Sequence, residues 1–82
     1  MALERAETQN ISVNAFIHIT VNGLPEAVPP SATLADLIDL FHEIDRDLIV
    51  EHNGRFVFPQ DYTSTAVAPN DRVEFIHPNF GG

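Results

Sequence analysis

A chain of 82 residues makes one small domain, which buries only about 60–65% of its unfolded surface and leaves little room for a deep catalytic cavity. It has no cysteine, so disulfides, thiolate metal sites and cysteine nucleophiles are excluded, and a reducing cytoplasm is the expected setting. Twelve acids against four arginines, with no lysine, give a formal charge of −8; this field repels phosphate backbones and steers toward a basic protein surface, unless the acids only maintain solubility.

Residues 1–13 are polar and aperiodic and read as a mobile leader, with no signal-peptide pattern. No apolar run approaches the ~20 residues of a membrane span. The stretch Ala15-Phe16-Ile17-His18-Ile19-Thr20-Val21 alternates, with Ile17, Ile19 and Val21 on one face and Phe16, His18 and Thr20 on the other. Asn22-Gly23 is a dipeptide that accepts the positive φ angles of a tight hairpin turn. The returning strand Leu24–Val28 contains Pro25, which lacks a donor and places that strand at a sheet edge. Thr33 and Asp36 form a capping-box pair at the start of a helix over about 33–43. Its apolar stripe is Leu34, Leu37, Ile38 and Phe41, and residues 42–47 read as a frayed end and a loop.

A second hairpin follows, Leu48–His52 and Arg55–Phe58, turning at Asn53-Gly54. Pro59 ends it, Gln60-Asp61-Tyr62 reads as one helical turn, and 63–68 as a loop. A last strand, 72–77, carries Val73 and Phe75 alternating with Glu74 and Ile76. The predicted fold is α+β: a mixed sheet of four to five strands in the order β-β-α-β-β-β with one covering helix. Its first and last strands are parallel neighbours at the centre, and the domain spans residues 14–77. The last strand runs into a tail, Pro78-Asn79-Phe80-Gly81-Gly82. Two glycines without Cβ atoms suit backbone that passes through a narrow channel, and five extended residues reach about 17 Å at ~3.4 Å each.

Four segments carry a resemblance. They are Val21-Asn22-Gly23, the capped helix Thr33–Ile38, Val50–Val57, and Pro69–Ile76 running into Gly81-Gly82. Over residues 15–82 their order and spacing resemble the ubiquitin-like β-grasp sulfur carriers of the ThiS/MoaD superfamily, nearest to the ThiS family of the thiamine pathway. Pro78 and Asn79 depart from the β-branched or small apolar tail usual there. The resemblance implies a carrier, not an enzyme. An adenylating enzyme of the ubiquitin-activating type would use ATP and Mg²⁺ to activate the Gly82 carboxylate. A sulfur donor protein would then displace AMP, and the resulting thiocarboxylate would pass its sulfur to an acceptor synthase such as a thiazole synthase. The expected acyl site is Gly82 with Gly81. The expected partner contacts are Phe80, Asn79, Pro78 and His77 on the tail and its root, with Ile76, Phe16 and Phe58 as apolar residues on the uncovered face. No bound cofactor, nucleic acid or membrane is implied.

Other constellations read as ordinary surface. The histidines at 18, 42, 52 and 77 match no zinc spacing, and His77 stands at the root of the tail. Asp36/Asp39 and Asp45/Asp47 are acid pairs with no predicted cleft to perturb them. There is no nucleophile signature and no glycine-rich phosphate loop. The rival readings are a molybdopterin synthase small subunit, a ubiquitin-like modifier that forms amide bonds, and a non-covalent β-grasp binding module. The absence of lysine removes any lysine ammonium that could accept another copy's tail.

Overall fold

The computed structural model describes residues 15–78. The leader 1–13 and the tail residues Asn79, Phe80, Gly81 and Gly82 lie outside the described residues. Strands β1 (Ile17–Val21) and β2 (Leu24–Val28) form the first hairpin. Helix α1 (Leu34–Leu40) follows, then β3 (Ile49–His52), β4 (Arg55–Val57), a 3-10 turn (Pro59–Asp61) and β5 (Arg72–Ile76). They build a five-stranded sheet in the order β2-β1-β5-β3-β4. β5 is central, parallel to β1 and antiparallel to β3, while β2, with Pro25, is an edge.

Both hairpins turn on Asn-Gly pairs with positive φ, 52° and 84° at Asn22-Gly23 and 53° and 83° at Asn53-Gly54, as their backbone tolerance predicts. The asparagine side chains also act at a distance. Asn22 Oδ1 accepts from the Phe75 amide at 2.8 Å, and Asn53 Oδ1 accepts from the Arg72 amide at 2.8 Å. Each turn therefore staples β5 as well as its own hairpin.

The core lies between one sheet face and α1. Ile19, Val21, Val28, Val50, Val73 and Phe75 meet Leu34 and Leu37, both fully buried, with Ile38 and Phe41 packed beside them. The Phe41 and Phe75 rings pack tilted with centroids 6.3 Å apart. Leu37→Ala is expected to cost about 2–5 kcal/mol, a large share of the 5–15 kcal/mol typical of a domain.

Every amide in the first turn of α1 has an acceptor. Asp36 N–H donates to Thr33 Oγ1 and Thr33 N–H to Asp36 Oδ2, closing the capping box. Leu34 N–H donates to the Thr65 carbonyl and Ala35 N–H to the Tyr62 carbonyl. Segment 59–68 is thus part of the helix's support, with Val67 in the core and Tyr62 half-buried; burial pushes the Tyr62 phenol up.

The helix is shorter than its apolar stripe predicts, and its end is closed, not frayed. His42 takes a left-handed φ of 58°. Its amide bonds to the Asp39 carbonyl and the Glu43 amide to the Ile38 carbonyl, the paired closure of a Schellman motif with histidine in the usual glycine place.

Candidate functional site

β5 runs through the middle of the sheet toward the tail, so the site is its C-terminal end and the faces beside it. On the face away from α1, Ile76 pairs with Ile49. Val57 opposes Val50, which sets Phe58, one residue on, beside Ile49 in the same row. Phe56 opposes Glu51, which opposes Glu74, in the next row. The Phe56 and Phe58 rings meet edge to face at 4.9 Å and are 52% and 59% exposed. Segment 59–68 packs against the helix and leaves this row uncovered. An aromatic and aliphatic patch, with Glu51 and Glu74 in the adjoining row, therefore stands at the root of the tail, the kind of exposed apolar surface that marks a contact site.

Phe16 does not join that patch. The parallel register sets Thr20 against Arg72, so Phe16 and Ile76 lie four residues to either side of that pair. Eight residues at ~3.3 Å each separate them by roughly 26 Å along the sheet. Alternation assigns the shared face correctly, but the offset between the two strands is invisible in either one alone.

His77 follows β5 directly. Its Nε2 lies 2.9 Å from Glu43 Oε1 and its Nδ1 3.0 Å from Asp45 Oδ2. Asp45 also accepts from the Asp47 amide at 2.9 Å. The Asp47 amide first, then His77, hold the Asp45 carboxyl below its ordinary 3.8 against the opposing effect of burial. These groups line an open recess of about 640 Å³. Pro78 is exposed.

The other end of β5 carries a second histidine–carboxylate group. His52 Nε2 is 2.6 Å from Asp71 Oδ2, and Asp71 also accepts from Asn53 Nδ2 and the Ala68 amide. Desolvation pushes the Asp71 carboxyl up, but the Ala68 amide, His52 and Asn53 outweigh it and hold the carboxyl low. Asp36 is taken up by its helix cap, and His18 and Asp39 are exposed. Among the described residues no group of three or more His, Cys, Asp or Glu is arranged to hold a metal ion, and no helix is long and apolar enough to cross a membrane.

A mixed sheet with β5 central and parallel to β1, crossed by one helix, defines a ubiquitin-like β-grasp domain. The family model of the ThiS family matches residues 11–82. The chain belongs to the ThiS family, the ubiquitin-like sulfur carriers. It is similar to the solved structure of the thiamine biosynthesis protein ThiS from Geobacter metallireducens. That structure is 29% identical with a TM-score of 0.71, over 80% of this chain and 100% of that one. A structure described as molecular mimicry of SUMO that promotes DNA repair shares the fold at 20% identity. Its TM-score is 0.55, over 78% of this chain and 94% of that one. Among curated proteins, none matches the chain by sequence.

Proposed function

We propose that this protein is the sulfur carrier of a thiamine-type thiazole synthesis, and that Gly82 is its acyl terminus. The Gly82 carboxylate attacks the α-phosphorus of ATP, held with Mg²⁺ in a partner enzyme, and pyrophosphate leaves. A carboxylate is a poor acyl donor, whereas the resulting acyl adenylate has AMP as a good leaving group. A persulfide sulfur of a donor protein then attacks the carbonyl carbon and expels AMP. A thiol cleaves the S–S bond of the resulting acyl disulfide, so that the donor's sulfur leaves in a new disulfide and the thiocarboxylate is freed for an acceptor synthase. Gly81 and Gly82 put no side chain beside the attacked phosphorus. Gly82 is therefore a substrate atom-carrier, and this chain catalyses no step.

The observation that supports the reading best is that the family match continues through Gly82. The strand leading there is the central one, stapled from both sides by Asn22 and Asn53. The Phe56, Phe58, Ile49 and Ile76 surface is the proposed docking face for the adenylating enzyme, with the acidic field meeting a basic rim. The SUMO-mimic likeness speaks to fold alone and gives no weight to a modifier.

The test is ATP–pyrophosphate exchange by an adenylating enzyme of the ubiquitin-activating type. Exchange is expected to depend on this protein and to vanish when Gly82 is deleted, with thermal unfolding unchanged. Full exchange by the truncated chain would reject Gly82 as the site.

A further inference from the structure

We propose that His77 is a positioning residue, whose ring, gripped between Glu43 and Asp45, fixes the place and direction in which the chain leaves the sheet toward its partner. The inference rests on the carrier reading above and assigns a role to three residues outside the acyl site and the apolar docking face.

The last ladder pair of β5 is Ile76 with Ile49, so His77 is the first residue past the strand. Two contacts at 2.9 and 3.0 Å, one to each ring nitrogen, fix the plane of the imidazole as well as its position. The acceptors are themselves anchored. Glu43 is set by the helix closure through its amide bond to the Ile38 carbonyl, and Asp45 by the Asp47 amide. The grip therefore ties the end of β5 to the loop after α1, with Asp45 32 residues away in the sequence. His77 lies outside the buried core, so the contacts hold the exit without building the domain. A chain end that must enter a deep nucleotide site binds more weakly if its root must first be ordered, because each freed rotor is paid for on association.

The chemistry also gives the grip a pH direction. Ionised carboxylates only accept hydrogen bonds, so both contacts are fully made only when both ring nitrogens carry protons. A neutral ring gives up one of them, and the grip weakens as pH rises. The charged and titratable groups around the ring are His42 and Glu43 from the helix end and Asp45, Arg46 and Asp47 from the loop, while Ile49 and Ile76 contribute none. Asp45 keeps accepting well into the acid range, because its carboxyl is held below 3.8.

The experiment measures adenylation of the full chain by its activating enzyme with Mg²⁺ and ATP. It compares wild type with His77→Gln, Glu43→Gln, the double variant and His77→Arg. His77→Gln is expected to raise the KM for the carrier about 3- to 10-fold with kcat within about twofold, the size of effect expected from releasing a few fixed rotors. Glu43→Gln shifts KM the same way, and the double variant is no worse than His77→Gln because the two remove one shared interaction. The wild-type advantage over His77→Gln shrinks as the pH is raised, because a neutral ring can donate to only one of the two carboxylates. His77→Arg, charged throughout, recovers most of the loss and flattens the profile. An unchanged KM for His77→Gln at low pH overturns the proposal, and so does a loss that neither arginine nor pH alters. If wild type is not adenylated at all, the carrier reading fails separately. Amide hydrogen exchange at residue 77 then decides for the grip: faster exchange in His77→Gln supports it, and equal exchange overturns it.

Discussion

The two ends of β5 carry the same chemistry in different settings. At its start, Asp71 gathers His52, Asn53 and the Ala68 amide, which belong to the end of β3, the turn after it and the loop before β5. At its exit, His77 is held by Glu43 and Asp45, which belong to the end of the helix and the loop after it. The first group joins strand to strand and serves folding. The second joins the residue that follows the strand to a separate element, at the point where the chain leaves the sheet. A histidine–carboxylate pair is thus not informative by itself; what it ties together decides what its loss will change. Changes at the start of β5 should move stability and spare activity, and changes at the exit should do the reverse.

The largest effect is expected at the start. Asp71→Ala removes three hydrogen bonds, at least one of them charge-assisted, and should cost about 2–3 kcal/mol. In a domain this small that lowers Tm by about 10 °C or more. Adenylation of the fraction that stays folded should be normal; a specific loss of activity at preserved Tm would erase the contrast. The pH dependence follows from the same group. Asp71 and Asp45 are held below their ordinary 3.8 in the folded chain. Their contribution is therefore complete above that value and is lost as pH falls through the lower folded values. Urea unfolding at falling pH should show stability declining below about pH 4, and Asp71→Asn should flatten the decline.

At the exit, Phe58→Ser should weaken docking to the adenylating enzyme about tenfold, as expected for an aromatic contact in an interface. Its stability should change by under about 1 kcal/mol, because the ring is more than half exposed. Calorimetric unfolding beside a binding titration separates the two outcomes. Equal binding by the variant would remove this face from the docking surface. The smallest effect is expected from His42→Gly. Relieving a left-handed φ of 58° should stabilise the helix end by about 0.5–1 kcal/mol, read as a rise in Tm, with Glu43 still in place to hold His77.

Much of this architecture is legible in single elements. The Asn-Gly turns, the Thr33–Asp36 cap, the edge strand with Pro25 and the two-sided apolar character of β1 and β5 each follow from a few neighbouring residues. What escapes sequence reading depends on distance or on an unusual residue. The closure of α1 lacks the glycine that signals a Schellman end, so His42 conceals it and the helix reads as longer. Val67 sits in a segment without periodicity, yet Thr65 and Tyr62 beside it accept the helix's first amides. Alternation groups Phe16 with Ile76 and Phe58 because it gives the face but not the offset between parallel strands. In the sequence His77 stands out only by its place in the chain, since Glu43 and Asp45 lie more than thirty residues away.

The central claim is that this domain delivers an acyl terminus for sulfur loading. Intact-mass spectrometry tests it most directly, on the full chain incubated with its adenylating enzyme, Mg²⁺, ATP and a sulfur donor. The account predicts a mass gain equal to one oxygen replaced by sulfur, confined on fragmentation to Gly82. An unchanged mass under conditions where the enzyme consumes ATP, or sulfur found at any other residue, would contradict it.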